Sequence, residues 1–189
     1  MENIATDNKN HYRSVLIAPK KIDVHNISIG FPWKSDAICF NFNMPEEMYL
    51  WKDAEQLSDP DDIVTLVLDG NVPDLSFVSR MVRLKQLYIY NNRALSDLSF
   101  IENLPELNQL LINESQITSL VSISSLIKKK QALSENEQDI WKKLTYLLQG
   151  VFINSVVEPD GLDEIFQSDM YIEEIIINGK RRHKPSKSH

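Results

Sequence analysis

The fold of this chain is decided by one short stretch, Ile63-Val-Thr-Leu66-Val-Leu68, which recurs as Leu84-Lys-Gln-Leu87-Tyr-Ile89 and as Leu107-Asn-Gln-Leu110-Leu-Ile112. Each copy has an apolar residue at its first, fourth and sixth positions, and the copies start 21 and 23 residues apart. The apolar–x–apolar alternation that ends each copy is typical of a strand with one side toward a core. The sequence therefore predicts three short strands with equivalent inward positions.

The residues that follow each strand match as well. A small hydrogen-bonding residue stands eight positions after each start: Asn71, Asn92 and Ser115. Further on, Asp74-Leu-Ser-Phe-Val78 is matched by Asp97-Leu-Ser-Phe-Ile101 and more loosely by Ser119-Leu-Val-Ser-Ile123. Self-similarity at a period of roughly 20–29 residues indicates stacked repeats that share one continuous core.

These segments resemble leucine-rich repeats of the short class, found in phosphatase-regulator-like and internalin-like proteins. The resemblance covers residues 63–127 and implies an α/β fold, a short solenoid with a parallel sheet on its concave side and short helical turns on its convex side. In that family an asparagine side chain at the turn bonds buried backbone groups. Asn71 and Asn92 match this role, and Ser115 is a weaker substitute that would end the ladder.

The rest of the chain is predicted to flank the repeats. We expect a disordered N-terminus (1–12), an N-terminal cap with a degenerate first repeat (13–62), a helical insertion with a final capping strand (128–179) and a basic disordered tail (180–189). Within the cap, strands are predicted at 14–18 and 22–29, a degenerate coil at 37–42, and a helix that begins at Pro45 and runs to Leu57.

A capping-box sequence, Ser134-Glu-Asn-Glu137, predicts a helix that ends at Gly150. Residues 151–157 suit a strand or a packed connector, Asp160-Gly-Leu-Asp163 suits the start of a short helix, and residues 172–177 return to the strand spacing of the repeats. An independent helical module over residues 128–171 is the alternative to an insertion that covers the open end of the core.

Composition is that of an ordinary globular protein with an acidic balance. The net charge is −7, with a single cysteine, Cys39, which excludes an internal disulfide and fits a reducing compartment. The N-terminus lacks an apolar signal region and no apolar run is long enough to span a membrane, so we expect a cytoplasmic protein. The tail holds five Lys/Arg residues, which leaves 15 basic and 27 acidic residues (net −12) in the remainder. Nucleic acid is therefore not expected as the main ligand, although the tail alone would suit an acidic surface.

The residues between the inward positions are predicted to face out of the concave side in three columns. The central column is Asn41, Val67, Tyr88, Leu111 and Ile176. The column on one side is Asn43, Asp69, Tyr90, Asn113 and Asn178, and the column on the other side is Cys39, Thr65, Gln86, Gln109 and Glu174. An exposed apolar and aromatic strip usually marks a contact surface. The predicted partner-binding residues are Val67, Asp69, Gln86, Tyr88, Tyr90, Gln109, Leu111 and Asn113. The alternative is that the N-terminal segment or residues 128–171 fold back and cover this strip.

Catalysis finds little support in the sequence. Neither the four histidines nor Cys39 stand in a recognisable nucleophile or metal-ligand arrangement, and the acid clusters near Pro60 and Gly161 lack calcium-loop spacing. No cofactor is expected. The leading hypothesis is a non-enzymatic module that binds a partner protein through its concave face. One alternative is a structural protein that self-associates as a homodimer. Another is an immunity protein that neutralises a toxin, and an enzyme is not expected.

Overall fold

The computed structural model describes residues 12–21, 45–146, 148–167 and 174–182. Its centre is one open sheet of eight strands in the order β2-β1-β3-β4-β5-β6-β7-β8. Neighbouring strands pair in parallel except for the antiparallel pair β7–β8. The strands are β1 (Arg13–Ala18), β2 (Glu47–Leu50), β3 (Ile63–Asp69), β4 (Gln86–Tyr90), β5 (Gln109–Ser115), β6 (Gly150–Ser155), β7 (Glu174–Ile177) and β8 (Lys180–Arg182).

Helices are few in the described ranges. There are three α-helices, α1 (Val121–Asn136), α2 (Ile140–Thr145) and α3 (Leu162–Gln167), and four short 3-10 segments at Trp51–Gln56, Pro60–Asp62, Ser76–Arg80 and Ser99–Asn103. The expected α/β class with a mostly parallel sheet is thus confirmed. None of the described helices is long and apolar enough to cross a membrane.

The inward positions of the sequence copies are aligned across the sheet. Leu66 pairs with Leu87 and Leu87 with Leu110, so equivalent leucines stand side by side on what we call the first face. The same face continues into β1, β6 and β7 and forms the main core together with residues from the connecting segments. Because side chains alternate along a strand, a one-residue slip would turn this entire set to the other face, which fixes the register.

The two connections β3–β4 and β4–β5 share the same local hydrogen bonds. The Val78 N–H donates to the Leu75 carbonyl, and the Ile101 N–H donates in the same way to the Leu98 carbonyl. Before each 3-10 segment an aspartate side chain accepts the backbone N–H two residues on, Asp74 from Ser76 and Asp97 from Ser99. Each arm therefore returns along the first face with the same turn chemistry.

The two predicted turn asparagines, Asn92 and Asn71, differ in burial. Asn92 is fully buried, accepts the Val72 N–H at 3.0 Å and donates to the Val72 carbonyl at 2.7 Å, so its side chain bonds backbone groups at the turn as predicted. Asn71 also bonds a backbone group, since it accepts the Ala94 N–H at 2.6 Å, but this bond lies at the exposed surface and not in the core. Ser115 is buried and pairs with Ser155 of β6, whose hydroxyl donates to the Ser115 and Ile117 carbonyls, so buried turn side chains continue past the third copy.

Several local predictions are wrong. The predicted helix from Pro45 to Leu57 is a strand, β2, followed by the 3-10 segment Trp51–Gln56, because pairing with β1 competes with the helical apolar stripe. Lys180–Arg182 form β8, paired with β7, and do not begin a disordered tail. The strand predicted at 14–18 is confirmed by β1. The predicted strand at 22–29 and coil at 37–42 lie outside the described residues.

The segment 128–179 also differs from expectation. The capping-box residue Ser134 lies in the last turn of α1, and the next helix, α2, begins only at Ile140. The expected helix stop, Gly150, is the first residue of β6, which inserts between β5 and β7 in the sheet. The segment is therefore part of the same sheet rather than a purely helical insertion, and the independent helical module is excluded.

Candidate functional site

Of the predicted central column, Val67, Tyr88, Leu111 and Ile176 lie in one row and are buried, whereas Asn41 lies outside the described residues. Six residues stand in register across β1, β3, β4, β5, β6 and β7 on the second face of the sheet: Leu16, Val67, Tyr88, Leu111, Phe152 and Ile176. None is more than 7% exposed, and Tyr88 and Leu111 are 0% exposed. The prediction that Val67, Tyr88 and Leu111 form an open apolar strip is therefore wrong.

Burial of both faces is the usual state of a parallel sheet. Parallel sheets are covered on both sides in nearly all proteins, and their strands read as continuous apolar runs. Leu110-Leu-Ile112 in β5 and Val151-Phe-Ile153 in β6 are such runs. Leu16 and Phe152 were not predicted as members of the column. The continuous apolar runs in β5 and β6 are the sequence signal that indicates a second buried face.

Polar side chains line one margin of the buried column. The Thr65 hydroxyl donates to Gln86 Oε1 at 3.1 Å, and Gln86 Nε2 donates to Gln109 Oε1 at 3.2 Å. The same Gln109 oxygen accepts the Tyr88 hydroxyl at 2.9 Å, and burial raises the pKa of Tyr88. These bonds cross β3, β4 and β5, so Gln86 and Gln109 act within the structure as neutral connectors and are only partly accessible to a ligand.

Tyr90 lies at the other end of β4, opposite Asp69 of β3. The residue is half-buried, and its buried hydroxyl oxygen has no hydrogen-bond partner within the described part of the chain. Burial also raises the pKa of this hydroxyl, so it stays neutral at physiological pH. A buried hydroxyl without a hydrogen bond lowers the stability of the fold, so a hydrogen-bond donor or acceptor from a ligand would be favoured at this position.

Beside Tyr90, the carboxyl ends of β3, β5 and β6 and the turn after β4 carry a row of exposed and half-buried polar residues, which we call the carboxyl margin: Asp69, Asn91, Arg93, Asn113, Glu114 and Asn154. Asn91 and Glu114 have positive φ angles of 53° and 60°. Asn91 donates to Asp69 at 2.6 Å, Arg93 pairs with Glu114 at 3.0 Å, and Asn154 donates to Asn113 at 3.0 Å. Each bond joins neighbouring strands, so the row is held on the rigid edge of the sheet.

A second polar cluster, around Arg13, joins β1 and β2 at the β2 edge of the sheet. The Arg13 guanidinium contacts both carboxylate oxygens of Glu47 at 2.7 and 2.6 Å and donates to the Ser58 carbonyl and the Tyr49 hydroxyl. The hydrogen bond to Glu47 raises the pKa of Arg13 further, so the pair stays charged. Its connections join β1, β2 and the segment before β3, which indicates a structural anchor.

One cavity of about 300 Å³ lies beside β2, lined by Lys21, Met48, Tyr49, Leu50 and Asp53. Its walls combine one cation, one carboxylate and apolar side chains. Within the described ranges no three His, Cys, Asp or Glu side chains converge on a point that could hold a metal ion. All four histidines and Cys39 lie outside those ranges.

The structure thus brings the eight predicted binding residues together on one face, in two groups. Val67, Tyr88, Gln109 and Leu111 are buried, whereas Asp69, Gln86, Tyr90 and Asn113 are half-buried. Sequence reasoning missed Asn91, Arg93, Glu114 and Asn154 at the carboxyl margin. No protein-family model, no curated protein and no solved structure matches this chain.

Proposed function

We propose that this chain is a non-enzymatic leucine-rich-repeat protein that binds another protein, with the carboxyl margin as its contact surface. The observation that carries the proposal is the row of inter-strand polar bonds at the margin, which holds mixed charges in fixed positions across four parallel strands. Surfaces presented by a rigid scaffold lose little conformational entropy on binding.

The repeat assignment is supported by the correspondence between successive connections. The equivalent leucines pair directly, and the return arms repeat the same aspartate cap and the same 3-10 turn. Buried Asn92 binds the backbone of the preceding turn, as an asparagine ladder requires. Periods of 21 and 23 residues with 3-10 arms also fit short leucine-rich repeats better than a fold with a long helix after every strand.

The buried part of the predicted site takes a supporting role in this proposal. Tyr88, Leu111 and Val67 fix the spacing of the strands from within, while Asp69, Tyr90 and Asn113 reach the surface beside the margin turns. The half-buried Tyr90 contributes a large ring and an unpaired hydroxyl close to this surface. Aromatic groups of this kind are common at the centres of protein interfaces.

The charge of the chain favours a basic partner. The net charge is −7, so long-range attraction speeds encounters with a positively charged protein, particularly at low salt. At the margin itself Arg93 is more exposed than its partner Glu114, so a complementary surface would meet both signs of charge.

The test is affinity capture of partners from the lysate of the native cell with three forms of the protein. The margin variant carries Arg93→Glu and Asn113→Ala, and the control carries Lys128→Glu, which makes the same charge change on the exposed side of α1. We expect the margin variant to recover at least about tenfold less of a stoichiometric partner, equivalent to about 1.4 kcal/mol, and the control to recover as much as the wild type. Equal recovery by the margin variant would contradict the assignment of this surface.

A further inference from the structure

The second face of the sheet is buried, although within the described ranges its buried residues come from strands alone. Its cluster consists of Leu16, Ala18, Val67, Tyr88, Leu111, Phe152 and Ile176, with Met48 and Tyr90 packed at its borders. The first face differs, because there the buried residues of the strands pack against the connecting segments and helices. The topology of the sheet indicates what covers the second face.

Five connections run in one direction along the sheet, from β2 past β1 to β3 and then stepwise to β7. Each of the five contributes buried apolar residues to the core of the first face; one from each connection in turn is Ala54, Val78, Ile101, Ile123 and Ile165. A connection between parallel strands is right-handed in about 98% of cases, which places every connection that advances in the same direction on the same face. The described connections obey this rule.

The connection from β1 to β2 is the one that runs backwards. These two strands are adjacent and parallel, and β2 lies on the side of β1 away from β3. A right-handed crossover that steps in the opposite direction lies on the opposite face of the sheet. We propose that residues 22–44, which form this connection, pack on the second face and cover the column from Leu16 to Ile176.

The composition of residues 22–44 suits this position. The segment carries ten large apolar side chains: Ile22, Val24, Ile27, Ile29, Phe31, Trp33, Ile38, Phe40, Phe42 and Met44. Residues 1–11 hold only Met1 and Ile4 as large apolar side chains, and residues 183–189 hold none. The connection from β6 to β7 is an advancing one, and its described helix α3 contributes Ile165 to the core of the first face.

The length of the segment is sufficient. From β1 to β7 is five strand spacings, or about 24 Å, so a path across the face and back needs about 48 Å. The 23 residues from 22 to 44 reach about 76 Å when extended. The two ends are also placed correctly, since Lys21 follows the end of β1 and Pro45 precedes the start of β2.

This assignment makes the central column a second interior layer of the molecule. A partner would then meet the carboxyl margin without displacing any part of the chain, and the apolar strip would be no docking site. The position of residues 22–44 in this proposal does not depend on whether the protein binds a partner.

The experiment uses the unmodified full chain, labelled with ¹³C at methyl and aromatic positions, and measures nuclear Overhauser contacts. We expect contacts from the rings of Trp33, Phe40 or Phe42 to the methyl groups of Val67, Leu111 and Ile176. The matched controls are the neighbouring residues Leu66, Leu110 and Ile175, which point to the first face of the same strands. These should show contacts to Val78, Ile101 and Ile123 instead.

Two results would overturn the proposal. Ring contacts from residues 22–44 to Leu66, Leu110 and Ile175 would place the segment on the first face. Alternatively, a mixed sample of labelled and unlabelled chains, with isotope filtering, would report contacts to Val67 and Leu111 that arise only between molecules. That outcome would identify a second copy of the chain as the cover.

Discussion

Lys130 of α1 is 0% exposed, and its ammonium donates to the carbonyl oxygen of Pro105 at 2.6 Å. The bond joins the helix to the turn before β5, next to Lys129, which reaches the Glu102 carbonyl in the same way. Burial lowers the pKa of Lys130 to about 7, although the nearby Glu106 carboxylate opposes this effect. A lysine at this position therefore fixes the packing of α1 while it lowers the stability of the charged form.

The burial of Lys130 makes stability depend on pH. Its pKa is about 7 in the folded state and near 10.5 when unfolded, so between these values the unfolded chain binds more protons. The free energy of unfolding should therefore rise with pH across this window, by up to about 1.4 kcal/mol per unit from this group. Urea unfolding at pH 6, 7, 8 and 9 measures the slope, below the range in which Tyr88 and Tyr90 would begin to oppose it.

Lys130→Met should remove this slope, because methionine fills the same volume without a charge. We expect the variant to be more stable than the wild type at pH 6 and the difference to shrink toward pH 9. Lys129→Met is the matched control, since this side chain also donates to a backbone carbonyl, that of Glu102, but is half exposed. A slope that survives in Lys130→Met would show that another group causes it.

Asn92 and Asn71 should differ sharply when replaced by alanine. Asn92→Ala removes the amide donor of the part-buried Val72 carbonyl and one of the two acceptors of the Val72 N–H, which also donates to the Gly70 carbonyl at 3.2 Å, and should cost about 1–3 kcal/mol of unfolding free energy. Asn71→Ala removes a bond to the Ala94 N–H that water can replace, and should cost less than about 1 kcal/mol. Equal losses in urea unfolding would contradict the assignment of Asn92 as the buried turn residue.

The strand register across β3, β4 and β5 was predictable from the sequence. The three copies place leucine at equal distances from each turn, and a period of two leaves only one register that buries Leu66, Leu87 and Leu110 together. The burial of Tyr88 was not predictable from the same period. Alternation along a strand assigns residues to two faces but does not say what covers the second one.

The longest helix escaped sequence reasoning for a local reason. The first residues of α1, Val121-Ser-Ile-Ser-Ser, are β-branched or serine and have modest helix propensity. The helix forms because Ile123, Leu126 and Ile127 pack into the core of the first face. The capping-box sequence suggested a later start, but Glu137 instead accepts the N–H groups of Gln138 and Asp139 just before α2.

Gly70 should tolerate alanine poorly. Its φ is +124°, and a Cβ atom there would lie 2.8 Å from the Trp51 indole nitrogen, which donates to the Asp69 carbonyl at 2.7 Å. Gly70→Ala therefore combines backbone strain with the loss of a contact between β3 and the segment after β2, and should cost about 2 kcal/mol or more. Gly179→Ala, where φ is +72° with no neighbour within 4 Å, should cost about 1 kcal/mol from strain alone.

Chemical unfolding of the two glycine variants, followed by indole fluorescence, separates these effects. Gly70→Ala should change the emission of the folded state because Trp51 has to move, whereas Gly179→Ala should leave it unchanged. Similar costs and identical spectra would show that the indole is not held against this turn.

The two tyrosines of β4 provide the last comparison. Tyr88→Phe removes a hydroxyl that donates to Gln109 at 2.9 Å, so we expect a loss of about 0.5–1.5 kcal/mol. Tyr90→Phe removes a buried hydroxyl without a hydrogen-bond partner, so it should leave the free energy of unfolding unchanged or raise it. Both substitutions keep the ring, and therefore the difference between them isolates the hydroxyl groups. If Tyr90→Phe cost as much stability as Tyr88→Phe and also reduced capture of a partner, its hydroxyl would have a role in both folding and binding. If it reduced capture alone, the missing hydrogen bond would be one that Tyr90 makes only to the partner.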